Sequence, residues 1–309
     1  MKSSSILIIY ILITVNLQAT SNDKVLYGVD NRYEIGHSPY SHFSESIGAM
    51  IDLDHYKYED SDHEIILKNV ATLRYYRGAS TCKGLRFRNQ PTISSCTGFL
   101  VKKDILVTAG HCVTKYKHNI KNKTNQKCKN SIWAFDFKEE NTNANSVRID
   151  KTNIKKCERI INARYDDNLD YAIIKLEASK EDSRMPLKLS FDHRDYAIGN
   201  RVMVIGHPSG LPMKVSEGAR IHKTDLHSFV SNLDTFAGNS GSPIFNNYGE
   251  VIGILNSGET DYYFNNFLKC YDVNRCERVG GKCNVMNFLS AAGESSTKIT
   301  SLRNLLQGL

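Results

Sequence analysis

At 309 residues the chain is long enough for one large domain or two smaller ones. A composition of 40% hydrophobic and 24% charged residues excludes wholesale disorder. The net charge of +7 admits anionic partners, but the lysines are spread out, and the run Lys115–Lys129 is broken by Asn and Thr. That run reads as a solvated loop, and no nucleic-acid partner is expected.

In chain order, Lys2 followed by the apolar stretch Ile6 to Val15 and by Leu17-Gln-Ala19 predicts a secretory signal peptide over residues 1–19. About ten apolar residues are too few to span a bilayer. No later run approaches that length, so the expectation is an exported chain without stable membrane insertion. Residues 20–68 show little regular patterning and carry the acidic, aromatic patch Tyr56-Lys-Tyr-Glu-Asp-Ser-Asp62. They read as an extension or a pro-segment, with the main domain running from 69 to 309.

From Val70 onward short apolar strands alternate with turn signals. Thr97-Gly-Phe-Leu-Val101 and Ile105-Leu-Val-Thr108 flank a Lys-Lys-Asp turn and predict a hairpin. Ile132–Phe137, Tyr171–Leu176 and Arg201–Ile205 are further strands. Two more, around Ile244-Phe245 and Val251–Leu255, enclose an Asn-Asn-Tyr-Gly turn. Many short strands with few helical periods predict an all-β sandwich or barrel fold. The charged stretch Ala178–Pro186 is the natural seam between halves at about 69–180 and 181–290. Ile299, Leu302, Leu305 and Leu306 share one helical face after a Ser/Thr-rich start, so a closing helix is expected over about 296–307.

The eight cysteines form an even count, which in an exported chain reads as a disulfide framework. No Cys-x2-4-Cys pair is present, so no metal site is expected. Cys96 and Cys112, at the start and end of the predicted hairpin, are a plausible bridge. Cys128–Cys157 is a second guess. Cys270, Cys276 and Cys283 cannot all pair locally, so one of them should reach Cys82 or stay free.

Chemistry concentrates in Thr235-Phe-Ala-Gly-Asn-Ser-Gly-Ser-Pro243. Glycines on both sides of Ser240 let the backbone turn sharply and bring N–H groups close to a substrate carbonyl. A nucleophilic serine needs a base and a carboxylate to orient it. Of ten histidines, His111 stands out, because an apolar strand ends in its small-residue turn, Thr108-Ala-Gly-His-Cys112. Asp170 opens the apolar strand of Asn168-Leu-Asp-Tyr-Ala-Ile-Ile-Lys-Leu176, where an acid must find a partner. The order His111, Asp170, Ser240 is that of the chymotrypsin group.

Those three motifs resemble the trypsin/chymotrypsin-like serine peptidases, over roughly residues 70 to 300. The closer likeness is to the secreted, bacterial-type trypsin-like and glutamyl-endopeptidase branch. The resemblance implies two six-stranded antiparallel β-barrels, with His111 and Asp170 from the first and Ser240 from the second. It implies a secreted serine endopeptidase acting on protein or peptide substrates through an acyl-enzyme, as a monomer and without a cofactor. By position, the N–H groups of Gly238 and Ser240 would form the oxyanion hole. Asp234, six residues before the nucleophile, would lie with Thr235 at the base of the pocket for the side chain preceding the cut (P1), favouring Arg or Lys. Asn256-Ser257-Gly258 resembles the segment that pairs with substrate backbone.

Two departures from the family pattern stand out. The glutamyl branch carries a histidine where Leu255 stands, which disfavours the alternative of cleavage after Glu. An aspartate that pairs with a freed N-terminus in zymogens is replaced here by Asn239, and no Ile-Val-Gly-Gly start exists, so trypsin-style activation is not expected. The other reading of Asp234 is an acid bonded to nearby N–H groups. The rival function is a non-catalytic homologue that uses the cleft for binding.

Overall fold

The computed structural model describes residues 26–143, 146–178, 182–258, 260–279, 282–285, 288–290 and 293–309. The expected signal peptide lies outside the described residues.

Twelve strands build two closed barrels. The first uses β1 (Ile47–Asp52), β2 (Cys96–Lys102), β3 (Ile105–Thr108), β4 (Ser131–Phe135), β5 (Ile154–Tyr165) and β6 (Asp170–Leu176). Their order around the ring is β1-β2-β3-β6-β5-β4, every pairing antiparallel, and β4 returns to β1. The second uses β7 (Arg201–Gly206), β8 (Lys214–Thr224), β9 (Ser228–Ser231), β10 (Pro243–Phe245), β11 (Val251–Ser257) and β12 (Glu294–Lys298). Its ring runs β7-β8-β9-β12-β11-β10 and closes on β7, so it repeats the strand order of the first. Closure removes the unpaired edges that an open sheet would expose.

Each barrel fills its own interior. Met50, Leu100, Leu106, Trp133 and Ile174 pack inside the first, and Val204, Ile221, Phe229, Ile244 and Leu255 inside the second. A further cluster takes Phe99, Val107 and Ile173 from one barrel and Ile205, Val215 and Ile254 from the other. Outward faces of both barrels are therefore apolar where they meet, which is why β2, β3 and β6 read as nearly continuous hydrophobic runs.

The first barrel starts well before residue 69. β1 lies between β2 and β4, with Met50 opposite both Cys96 and Trp133. Residues ahead of it cross to the second barrel, where Tyr33 and Glu34 pair with Val215 and Lys214 of β8. Leu26 and Tyr27 pair in parallel with Arg275 and Cys276. The chain's other end also departs from expectation. Glu294–Lys298 is the last barrel strand, and the helical segment is limited to a 3-10 turn, Ile299–Leu302, and an α-helix, Arg303–Gln307. Ile299, Leu302 and Leu306 are buried against the inter-barrel cluster, whereas Leu305 is 37% exposed and off that face.

Disulfides join Cys96 to Cys112, Cys128 to Cys157, and Cys82 to Cys270. The last ties the loop before β2 to the hairpin Tyr262–Val273, so it is Cys270 that reaches Cys82. Side chains of Cys276 and Cys283 lie outside the described residues.

Candidate active site

β3 is buried throughout and delivers the chain into the 3-10 turn Gly110–Cys112, which carries His111. The Cys96–Cys112 bridge closes a 16-residue separation and fixes the residue next to His111. β6 pairs with β3, Ala172 opposite Thr108, and so brings its first residue, Asp170, beside that turn. The Asp170 carboxylate accepts two hydrogen bonds from His111: the backbone N–H at 2.9 Å on Oδ1 and Nδ1–H at 2.7 Å on Oδ2. An ionised carboxylate only accepts, so it places the imidazole proton on Nδ1 and leaves Nε2 as the nitrogen able to take one. Both side chains are about nine-tenths buried, which keeps the pair short and ordered.

Ser240 sits on the loop between β9 and β10. Gly238 and Gly241 both have positive φ, 96° and 87°. A Cβ at Gly238 would overlap the His207 carbonyl, and one at Gly241 would overlap Thr108 and the Thr97 carbonyl. Backbone bonds brace the turn: Asn239 N–H to Phe236 O at 2.9 Å, Ser242 N–H to Asn239 O at 2.9 Å, and Gly241 N–H to Leu255 O at 2.7 Å. The first barrel grips the loop directly. Thr97 donates its N–H to Ser240 O at 2.8 Å and its hydroxyl to Gly238 O at 2.8 Å, while Cys112 Sγ lies 3.8 Å from Ser240 O. The loop therefore rests on the same hairpin that carries His111.

The third segment to reach this place is Asn256–Gly258 at the end of β11. Asn256 O lies 3.4 Å from Ser240 Oγ. The Asn256 amide is 2.7 Å from the Thr297 hydroxyl, which in turn donates to Asp170 O at 3.1 Å. Thr297 thus links the Asp170 backbone of one barrel to the Ser240 neighbourhood of the other. Ser257 pairs with Ser295 of β12, and Gly258 lies against the Glu294 carboxylate.

Asp234 points another way. It is 1% exposed, and it accepts the Tyr27 N–H at 2.7 Å on Oδ1 and the Asn31 N–H at 3.2 Å on Oδ2. Burial pushes its pKa up to about 6, against the pull of those two N–H groups and of Arg32. Thr235, fully buried, donates its hydroxyl to Glu294 Oε2. Asn239 is 2% exposed, with its side chain packed against Gly206 and Ser242.

Thr97, Thr297 and Glu294 escaped the sequence reading. Thr97 had a faint signal, a hydroxyl inside an apolar strand run, whereas Thr297 sat in a Ser/Thr stretch that read as a helix start. His207, in the turn that follows β7, is fully buried and donates from Nδ1 to Leu211 O at 3.0 Å. Burial drives its pKa down to about 3, so it stays neutral and structural. Cys96, Cys112 and His111 bring sulfur and nitrogen atoms within 4.8 Å of one another. Both sulfurs are spent in the disulfide, so this trio leaves a single imidazole for a metal and does not make a metal centre.

The family model for the trypsin-like peptidase domain matches residues 96–254, from the first residue of β2 to within β11. The chain belongs to this family. Among proteins similar to this trypsin-like chain is the "Probable periplasmic serine endoprotease DegP-like" of Chlamydia trachomatis serovar D. The two are 34% identical over 98 residues, which is 29% of this chain and 19% of that protein. Bacillus subtilis strain 168 has a protein named "Extracellular metalloprotease" that is 25% identical over 188 residues, 58% of this chain and 56% of that one. The chain thus spans about a fifth and just over half of the lengths of these relatives. A solved structure of a Glu endopeptidase in complex with MPD aligns over 92% of this chain and 98% of its own, at 14% identity and a TM-score of 0.49.

Proposed function

We infer that this trypsin-like chain is an exported serine endopeptidase that cuts peptide bonds through an acyl-enzyme. The observation that carries the reading is the double hydrogen bond from His111 to Asp170 beside the Ser240 loop. Ser240 Oγ attacks the scissile carbonyl while His111 Nε2 takes its proton, and Asp170 stabilises the imidazolium that results. The developing oxyanion is received by the N–H groups of Gly238 and Ser240, each such donor worth about 3 kcal/mol in the transition state. Collapse expels the amine with a proton from His111, and water then releases the acyl group by the same steps in reverse.

The substrate is a protein or peptide cut after Arg or Lys. Leu255 stands where the glutamyl branch carries a histidine, which sets this reading above cleavage after Glu. Export is supported by the apolar leader sequence and by three disulfides, which persist in oxidising compartments. Among the described residues no helix is long and apolar enough to cross a membrane.

The test has two arms. Treatment with a fluorophosphonate should add one label, located on Ser240 by peptide mass analysis; folded protein that takes no label is a binding homologue instead. Matched peptides with Arg, Lys or Glu at P1 should show faster cleavage of the first two, and a Glu preference would refute the specificity assignment.

A further inference from the structure

We propose that the hairpin of residues 262–273 docks this protein, peripherally and reversibly, on anionic lipid bilayers. The inference goes beyond peptide hydrolysis and uses residues outside the candidate active site.

The hairpin pairs Tyr262–Asn265 with Cys270–Val273 and turns through Asn266, Phe267, Leu268 and Lys269. At its tip Phe267 is 92% exposed and Leu268 56%, with Phe264 also open to solvent. A phenyl ring left this fully in water costs free energy that a covering partner would recover. The tip is ordered by its own bonds, since Asn265 Oδ1 accepts the N–H groups of Phe267 at 3.0 Å and of Leu268 at 2.9 Å. Below it, Phe264 meets Tyr271 edge-on at 5.3 Å, Tyr271 meets Tyr76 at 5.0 Å, and Tyr76 lies 4.7 Å from Tyr262. This aromatic stack and the Cys82–Cys270 bridge set the hairpin on the loop before β2, so its apolar tip is a braced point.

Cations collar that point. Lys83 and Lys269 each neighbour a cysteine of the bridge, whose Cα atoms are 5.1 Å apart, so both stand at the tip end of the hairpin. Thr81 bridges Tyr271 in parallel, which runs the rest of the loop alongside. Residues 71–92 contain Arg74, Arg77, Lys83, Arg86 and Arg88 and no acid. Arg86 is paired with Asp30, but Arg74, Arg77, Lys83 and Lys269 are exposed and, among the described residues, in no ion pair. The hairpin's own acid, Asp272, lies below the tip opposite Tyr263 and accepts the Val273 N–H.

An apolar point with a cationic collar fits a lipid surface. A bilayer interface takes single Phe and Leu side chains among its acyl chains, Tyr at headgroup depth, and Lys and Arg against anionic headgroups. A stable protein interface needs about 800 Å² on each side, far more than the Phe267 and Leu268 side chains offer. Either signal alone binds marginally, whereas the two together give reversible attachment without a spanning segment.

The full-length exported protein is sedimented with vesicles of phosphatidylcholine alone, and of phosphatidylcholine mixed about two to one with phosphatidylglycerol. Wild type should partition on the order of tenfold more strongly to the mixed vesicles, and several-fold more weakly when NaCl rises from about 0.1 to about 0.5 M. F267S/L268S and K83Q/K269Q should each lose on the order of tenfold in partitioning, with thermal midpoints unchanged. F267W places an indole at the tip besides the buried Trp133, and its emission should shift to the blue on the mixed vesicles. Wild type that stays in the supernatant with both kinds of vesicle overturns the proposal and leaves the tip to a protein partner. Binding by F267S/L268S equal to wild type, or bound F267W with unshifted emission, overturns it as well.

Discussion

The carboxylate of Asp234 accepts the backbone N–H of Tyr27 at 2.7 Å, joining two residues separated by 207 positions in sequence. Because burial raises the pKa of this acid to about 6, the folded protein binds a proton there more tightly than the unfolded chain does. Its contribution to stability is then greatest below about pH 4 and declines as pH rises to about 6, by roughly 3 kcal/mol in all. His207, held near 3 by burial, tilts the other way, losing stability as pH falls below its unfolded pKa of about 6.5. The Asp234 effect is therefore read as a difference. Urea midpoints of wild type minus those of D234N should fall between pH 4 and 6.5, and a flat difference would show the acid titrating normally.

His111 and Ser240 should behave as one unit. H111A and S240A are each expected to lower turnover by about 10⁶, with the double variant little worse than either single one. Single-turnover assays on an amide substrate check this. Additive losses in the double variant would show that the two side chains act separately.

Removing the Cys96–Cys112 bridge as a C96S/C112S pair should cost about 3 kcal/mol by the loop-closure argument. It should also lower kcat, because the backbone beside His111 loses its anchor. Denaturant titration gives the first quantity and steady-state kinetics the second. An unchanged kcat would mean that the bonds to Asp170 alone hold His111 in place.

Thr297 makes a sharper test of positioning. T297V preserves shape but removes the hydroxyl shared by Asp170 O and the Asn256 amide. The expected loss is about 1–2 kcal/mol in stability and about tenfold in kcat, with KM little changed. A rise in KM at constant kcat would place Thr297 in substrate binding instead.

What the sequence disclosed depended on how local the determinant was. His111, Asp170 and Ser240 each lie where a strand meets a turn, so the short motifs around them could be read without knowing what they touch. The strand character of β1 was hidden because Ile47-Gly-Ala-Met-Ile-Asp52 has little intrinsic β preference; it is extended because β2 and β4 offer it partners on both sides. Ser295-Ser-Thr297 misled for a related reason. Hydroxyl residues favour helix starts in isolation, yet here β9 and β11 supply an open slot between two edges. Asp234 was recognisable as an acid near the nucleophile, but its actual partners come from the beginning of the chain and leave no trace in the intervening residues. Glu294 had no local signal, since Thr235 and Gly258, which it meets in the fold, lie far from it in sequence.

The route of the first described residues has a consequence for how the molecule is assembled. Leu26 to Glu34 are bound to the second barrel, while Ile47–Asp52 forms an interior stave of the first. Neither half is then a separable piece: a fragment ending at the seam would hold an N-terminal segment with nothing to pair to, and one beginning there would leave Asp234 facing solvent. During synthesis the earliest segment must wait for nearly the last one before its contacts exist. Such long-range pairing slows folding and joins both barrels into a single cooperative transition.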